Sequence, residues 1–127
     1  MTKKEVGFKY GFRSGLEVRT ADYLTKLGVS FQYEKLKIKW QENSSHTYTP
    51  DFVLSNGIIV ETKGRFIPSD RKKHLAVKAQ HPELDIRFVF SNPLAKLSKG
   101  SVGTYGSWCD KHGFLYAKET IPKEWLT

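Results

Sequence analysis

Apolar residues first recur at helical spacing. Leu16, Tyr23, Leu24 and Leu27 follow Ser14-Gly15-Leu16-Glu17, a serine with a glutamate three residues on, which is the pattern of a capped helix start. Gly28 suits the position just past a helix end, so the spacing predicts a helix over Gly15 to Leu27. The period then changes to two. Leu36, Ile38 and Trp40 alternate with Lys35, Lys37 and Lys39, which predicts a strand with one apolar and one basic face. Phe31 and Tyr33 alternate in the opposite phase, so a bulge or turn is expected near Glu34. Gln41 to Thr47 is polar and reads as a loop or bridge. Tyr48 to Leu54 and Ile58 to Lys63 read as strands around Ser55-Asn56-Gly57. Ser69 is placed to cap a helix running to Gln80, with Pro82 ending that region. Asp85 to Phe90 reads as a strand, Tyr105 to His112 as a helix stopped by Gly113, and Phe114 to Ala117 as a short strand. Trp40, Trp108 and Trp125 are assigned to the core and Cys109 to a buried thiol. The sum is a mixed α/β chain, 1–127 as a single domain, with a central sheet flanked by helices.

The register of the hairpin around Asn56 decides which side chains share a face. A two-residue loop, Asn56-Gly57, places Asp51 opposite Thr62 and puts Glu61 on the face of Phe52, Leu54 and Ile59. A three-residue loop with Gly57 left-handed places Asp51 opposite Glu61 and groups Phe52, Leu54, Ile58 and Val60 on one apolar face. The cleaner apolar face selects the three-residue loop, and a slip of one residue would reverse every side chain.

Composition bounds the function. The chain has 127 residues, 39% of them hydrophobic, which suits one folded domain and argues against wholesale disorder. No apolar run is long enough to span a membrane, and Met1 to Glu5 leads into no signal-type apolar stretch. The single cysteine, Cys109, excludes an internal disulfide and a cysteine zinc site, and the four histidines lack metal-ligand spacing. An intracellular setting is expected. Lys and Arg number 21 against 13 Asp and Glu, a net charge of +8, which fits phosphate neutralisation as well as simple solubility. Met1 to Gly11 reads as a flexible basic arm carrying Lys3, Lys4 and Lys9, with Arg13 just beyond it.

Candidate chemistry lies on that hairpin. Glu61 and Lys63 are two apart on a strand and share a face. Facing carboxylates such as Asp51 and Glu61 can share Mg²⁺, which prefers hard oxygen ligands, while Lys63 can orient water or offset charge at phosphorus. Spacing alone leaves a surface salt-bridge cluster as an equal alternative. Glu17 is explained by helix capping without catalysis. Arg71, Lys72, Lys73 and His74, and separately Lys35 and Lys37, are candidate DNA-phosphate contacts or solvated faces.

Pro50-Asp51 followed by Glu61-Thr62-Lys63 resembles the PD-(D/E)xK nuclease superfamily pattern. Phe12-Arg13-Ser14-Gly15-Leu16-Glu17, His46 to Phe52, Val60 to Gly64, Asp70 to Leu75, His81 to Arg87 and Lys111-His112-Gly113 resemble the bacteriophage endonuclease I family, the four-way (Holliday) junction-resolving nucleases of T7-like phages. The resemblance runs from Phe12 to Trp125. It implies a restriction-endonuclease-like core and an intertwined, segment-swapped homodimer in which residues 41–47 bridge the halves. It implies Glu17, Asp51, Glu61 and Lys63 as the catalytic set. Asp51, Glu61, the Thr62 carbonyl and Glu17 would hold Mg²⁺, with Mn²⁺ able to substitute. Each site would combine the Glu17 region of one chain with the hairpin of the other. The expected partner is branched DNA and the expected place is the cytoplasm of an infected bacterium. Arg65-Phe66-Ile67-Pro68 departs from the family pattern in residue type. A sequence-specific, restriction-type nuclease and a non-enzymatic junction-binding module remain as alternatives.

Overall fold

A computed structural model describes residues 14–127. Along the chain run α1 (Gly15–Lys26), β1 (Phe31–Tyr33), β2 (Ile38–Glu42), β3 (Ser44–Tyr48), β4 (Phe52–Leu54) and β5 (Ile59–Lys63). They are followed by α2 (Pro68–Gln80), β6 (Ile86–Phe90), α3 (Tyr105–His112), β7 (Tyr116–Lys118) and a 3₁₀ turn (Lys123–Leu126). Helix α1 starts where the capping pattern places it: Ser14 Oγ accepts from the Glu17 N–H at 3.1 Å. It stops at Gly28, whose φ of +70° a side-chain-bearing residue would resist. Leu27 lies in the cap, 44% exposed, rather than on the buried stripe.

Five strands form one mixed sheet in the order β1-β4-β5-β6-β7. The first three are antiparallel, while β5, β6 and β7 run parallel. Parallel neighbours need crossovers, and α2 and α3 supply them. The hairpin register is the three-residue one: Phe52 pairs with Val60 and Val53 with Ile59, and Gly57 has φ +90°.

Alternation along these strands divides the core into two layers. Ile59, Phe88 and Phe90 face α2, α3 and the β2–β3 hairpin, where they meet Phe66, Val77, Trp108 and Phe114. Val60 and Val89 face the other way, with Phe52 and Leu54, onto Leu16, Ala21 and Leu24 of α1 and Trp125 of the final turn. Phe88 is fully buried, lies parallel to Phe90 at 5.5 Å and meets Phe114 edge-on at 5.3 Å. Phe88→Ala is expected to cost about 3–5 kcal/mol, a fall in Tm of roughly 10–20 °C in a melt followed by circular dichroism.

Five expectations change. Strand β2 begins at Ile38, not Lys35, because Glu34 turns the chain with φ +50°, and Leu36 stays 37% exposed. Gln41 to Thr47, expected as a loop or bridge, is most of a β-hairpin within one chain, with Glu42 opposite Ser44 and Asn43 at φ +60°. Its tip is exposed on both faces, so it carries no apolar alternation. Helix α2 starts at Pro68 with Ile67 as N-cap, so Ser69 is not the cap. Proline at the first helical position has no N–H to leave unsatisfied, and Asp70 Oδ2 accepts from the Ile67 N–H at 3.3 Å. Finally, Pro50 divides the expected Tyr48–Leu54 strand into the ends of two different sheets, and the last strand begins at Tyr116 while Phe114 enters the core.

Candidate active site

Asp51 occupies the turn from β3 into β4, between two antiparallel neighbours. On one side the Glu34 N–H donates to the Asp51 carbonyl at 3.0 Å, extending the β1–β4 pairing by one residue. On the other side the Asp51 N–H donates to Glu61 Oε2 at 2.7 Å. The Asp51 carboxylate is held by β5: Oδ2 accepts from the Thr62 N–H at 2.9 Å and from its hydroxyl at 3.1 Å. Helix α1 brings Glu17 from the opposite layer, and the Tyr33 hydroxyl donates to Glu17 Oε2. One carboxylate oxygen each from Glu17, Glu34 and Asp51 lie within 4.8 Å of one another. Glu17 and Asp51 are buried and Glu34 is half-buried.

Glu34 was absent from the expected set. Its only sequence signal was the phase change at Tyr33, and the left-handed backbone there aims its carboxylate at the cluster. Glu17 and Asp51 come together within one chain, whereas the resemblance implied Glu17 of one chain beside the hairpin of another. Glu61 lies directly across from Asp51 yet outside that three-carboxylate group, enclosed with Tyr48 and His74. It is 2% exposed, and its Oε1 is 3.7 Å from His74 Nε2. Burial, and then the Asp51 charge, push its carboxyl up to about 8, against smaller opposing pulls from Lys63, the Asp51 N–H and Lys73. Burial, and then Glu61, raise the Tyr48 phenol well above its usual range. The Tyr48 hydroxyl faces Glu61 electrostatically but meets no hydrogen-bond geometry. Lys63 is half-buried, with Nζ 3.7 Å from Asp70 Oδ1.

The expected DNA contacts divide. His74 is fully buried, edge-on to Tyr48 and Phe88 at 5.2 and 4.9 Å, so it is a core residue and not a phosphate contact. Burial, then Lys73 and Lys63, lower its pKa, so the ring is neutral and its approach to Glu61 is not an ion pair. The reason is helix phase: four consecutive residues point in four directions about 100° apart. Arg71 Nη1 donates to the Phe66 carbonyl at 2.5 Å, and Lys72 pairs with Glu42 at 2.5 Å. Lys73 lies 5.6 Å over the Tyr48 ring. Lys35 and Lys37 are exposed, the latter donating to Thr49 Oγ1 at 3.1 Å. Lys9 and Arg13 lie outside the described residues. Cys109 is buried as expected, and burial, then Asp110, push its thiol up to about 12, so it is inert.

Fold and centre together define a mixed α/β fold with a largely buried carboxylate cluster between α1, the end of β1 and the start of β4. Among the described residues no helix is long and apolar enough to cross a membrane. The chain is 53% identical to endonuclease I of Escherichia phage T7 over 116 residues, which is 91% of this chain and 78% of that protein. It is 54% identical to endodeoxyribonuclease 1 of Enterobacteria phage T3 over 112 residues, 87% of this chain and 74% of that protein. The chain belongs to the phage endonuclease I family, whose model matches residues 1–127.

Proposed function

We propose that this chain is a structure-selective DNA endonuclease that hydrolyses phosphodiesters in four-way (Holliday) and other branched junctions, serving recombination, replication and packaging of phage DNA inside an infected bacterium. The observation that carries this reading is the convergence of Glu17, Glu34 and Asp51 oxygens within 4.8 Å of one another in a chain of net charge +8. Three carboxylates repel a phosphate unless a cation intervenes. Their donor set is all hard oxygen, which fits Mg²⁺, or Mn²⁺ in its place. Glu17, Glu34 and Asp51 would hold it, with Glu61 and the Thr62 carbonyl beside them. When bound, such an ion acts as a Lewis acid and makes bound water easier to ionise.

The chain's own groups do the rest. Thr62 fixes the Asp51 carboxylate through two hydrogen bonds. The Tyr33 hydroxyl holds Glu17, which keeps an α1 group in register with the sheet. Lys63, at the end of β5 and on the face of Glu61, would offset the charge that builds on phosphorus. The family's intertwined homodimer would open the β2–β3 hairpin and remake the same pairing between two chains, the usual logic of segment exchange. Two sites per dimer would then allow paired nicks.

The test is a labelled four-way junction and a matched linear duplex, each incubated with the protein in Mg²⁺ and in EDTA. Paired, Mg²⁺-dependent cuts confined to the junction are expected. Equal cutting of the duplex at a fixed sequence would replace junction selectivity with sequence reading. Binding without cutting under both conditions would leave a binding module and overturn the nuclease reading.

A further inference from the structure

A second concave site lies beyond the carboxyl ends of the parallel strands β5 and β6. It is a cavity of about 490 Å³ lined by Arg65, Phe66, Lys96, Ser98, Lys99 and Tyr105, among others. The crevice outside the carboxyl ends of parallel strands is where open α/β sheets commonly place a ligand. We infer that it is a phosphate-binding subsite, and that it seats the backbone of the DNA strand running away from the cut.

Charge comes first. Arg65, Lys96 and Lys99 are exposed and line the cavity together, and among the described residues no aspartate or glutamate lines it. No ion pair or hydrogen bond engages these three side chains among the described residues. Four other cations are paired with carboxylates: Lys26 with Asp22, Lys63 with Asp70, Lys72 with Glu42 and Arg87 with Asp85. Three uncommitted cations around one hollow favour an anion, and guanidinium with ammonium groups suits phosphate oxygens.

Preorganisation is the second support. Lys96 and Lys99 sit on the 91–104 segment, which has no regular secondary structure but is pinned at several points. Leu97 N–H donates to the Gly103 carbonyl at 3.0 Å, and Tyr105 N–H donates to the Ala95 carbonyl at 3.0 Å. Lys96 bridges to Thr104, and Gly100 turns the tip at φ +78°. A backbone already held around the hollow would leave only the side chains to order on binding. Half-buried Tyr105, edge-on to buried Phe66 at 5.8 Å, adds an aromatic edge to the wall.

Position is the third. Arg65 follows Lys63 by two residues, at most about 7 Å of chain. Ser91, which opens the segment, donates its N–H to the Lys63 carbonyl at 3.1 Å. A DNA strand advances about 3.4 Å along the axis per phosphate, so a strand cut beside Lys63 reaches the cavity within a few nucleotides. The Arg65-Phe66-Ile67-Pro68 stretch, which leads directly from the end of β5 into α2, forms one wall.

The inference rests on the reading that the chain acts on DNA, and its test separates the two. Junction binding by the full chain is followed by fluorescence anisotropy in EDTA across a salt series. The comparison sets Arg65→Ala/Lys96→Ala/Lys99→Ala against Lys111→Ala/Lys118→Ala/Lys123→Ala, which removes equal charge outside the cavity. The cavity variant is expected to flatten the slope of log K against log salt by about 2 to 3, and the control by clearly less. Single neutral methylphosphonate linkages near the cut should weaken wild-type binding at one or two positions and leave the cavity variant unaffected there. Equal slopes for the two variants would overturn the subsite while wild-type cutting leaves the nuclease reading standing. Binding of inorganic phosphate at the cavity without any methylphosphonate effect would make it a free-anion site and equally overturn the inference. A wild-type chain that binds no DNA at any salt would overturn both.

Discussion

Asp51→Asn is expected to lower junction cleavage by about three orders of magnitude, roughly 4 kcal/mol of transition-state stabilisation, while the protein stays folded and binds the junction at least as well as wild type. The reason lies in how Asp51 is used. Its Oδ2 accepts two hydrogen bonds from Thr62, and an asparagine oxygen can accept both, so the local structure should survive. What the amide cannot supply is the negative charge that, beside Glu17 and Glu34, would make the cluster a cation site. Removing one of three converging charges also relieves their mutual repulsion in the metal-free protein, so its Tm should rise rather than fall. Binding should hold or tighten because one fewer carboxylate faces the phosphates. Single-turnover cleavage of a labelled junction, a binding titration in EDTA and a thermal melt give the three readouts. Cleavage within about tenfold of wild type would remove Asp51 from the chemistry. Loss of cleavage together with loss of folding would instead make it a structural residue.

The features that could be read along the chain are those with local causes. Ser14 and Gly28 bracket α1, and Tyr105 to Gly113 gives α3 residue for residue, because caps and left-handed glycines act within a few positions. The apolar face of Phe52, Leu54, Ile58 and Val60 was enough to set the hairpin register, and with it the opposition of Asp51 and Glu61. Other features depend on contacts that no spacing announces. Glu34 joins the cluster because β1 pairs with β4 and its backbone turns left-handed, neither of which a lone glutamate advertises. His74 sits in a run of cations, yet helix phase carries it inward against Tyr48 and Phe88. The β2–β3 hairpin is legible only at Ile38, Trp40 and Tyr48, since its tip buries nothing. Arg65, Lys96 and Lys99 come from two segments on either side of α2 and β6, and only the fold sets them around one hollow.

Glu61→Gln is expected to abolish a pH dependence of stability on the order of 3–5 kcal/mol in the metal-free protein. Glu61 titrates near 4.5 when unfolded and at about 8 in the fold, because burial and then the Asp51 charge disfavour its ionised form. Between those values the native state keeps a proton that the unfolded chain releases. The folded state therefore binds more protons, and stability falls as pH rises. The contribution is complete below about pH 4.5, declines through neutrality and is gone above about pH 8. A glutamine cannot ionise. Its carbonyl oxygen can still accept from the Asp51 N–H, and its amide can donate to the neutral His74 ring, which has no hydrogen-bond partner among the described residues. Urea denaturation in EDTA at pH 5, 6, 7 and 8 measures the difference. The variant should match wild type near pH 5 and exceed it increasingly toward pH 8. Parallel pH profiles for the two proteins would mean that Glu61 is already ionised in the fold at neutral pH, and that the enclosure of Tyr48 and His74 does not hold its proton.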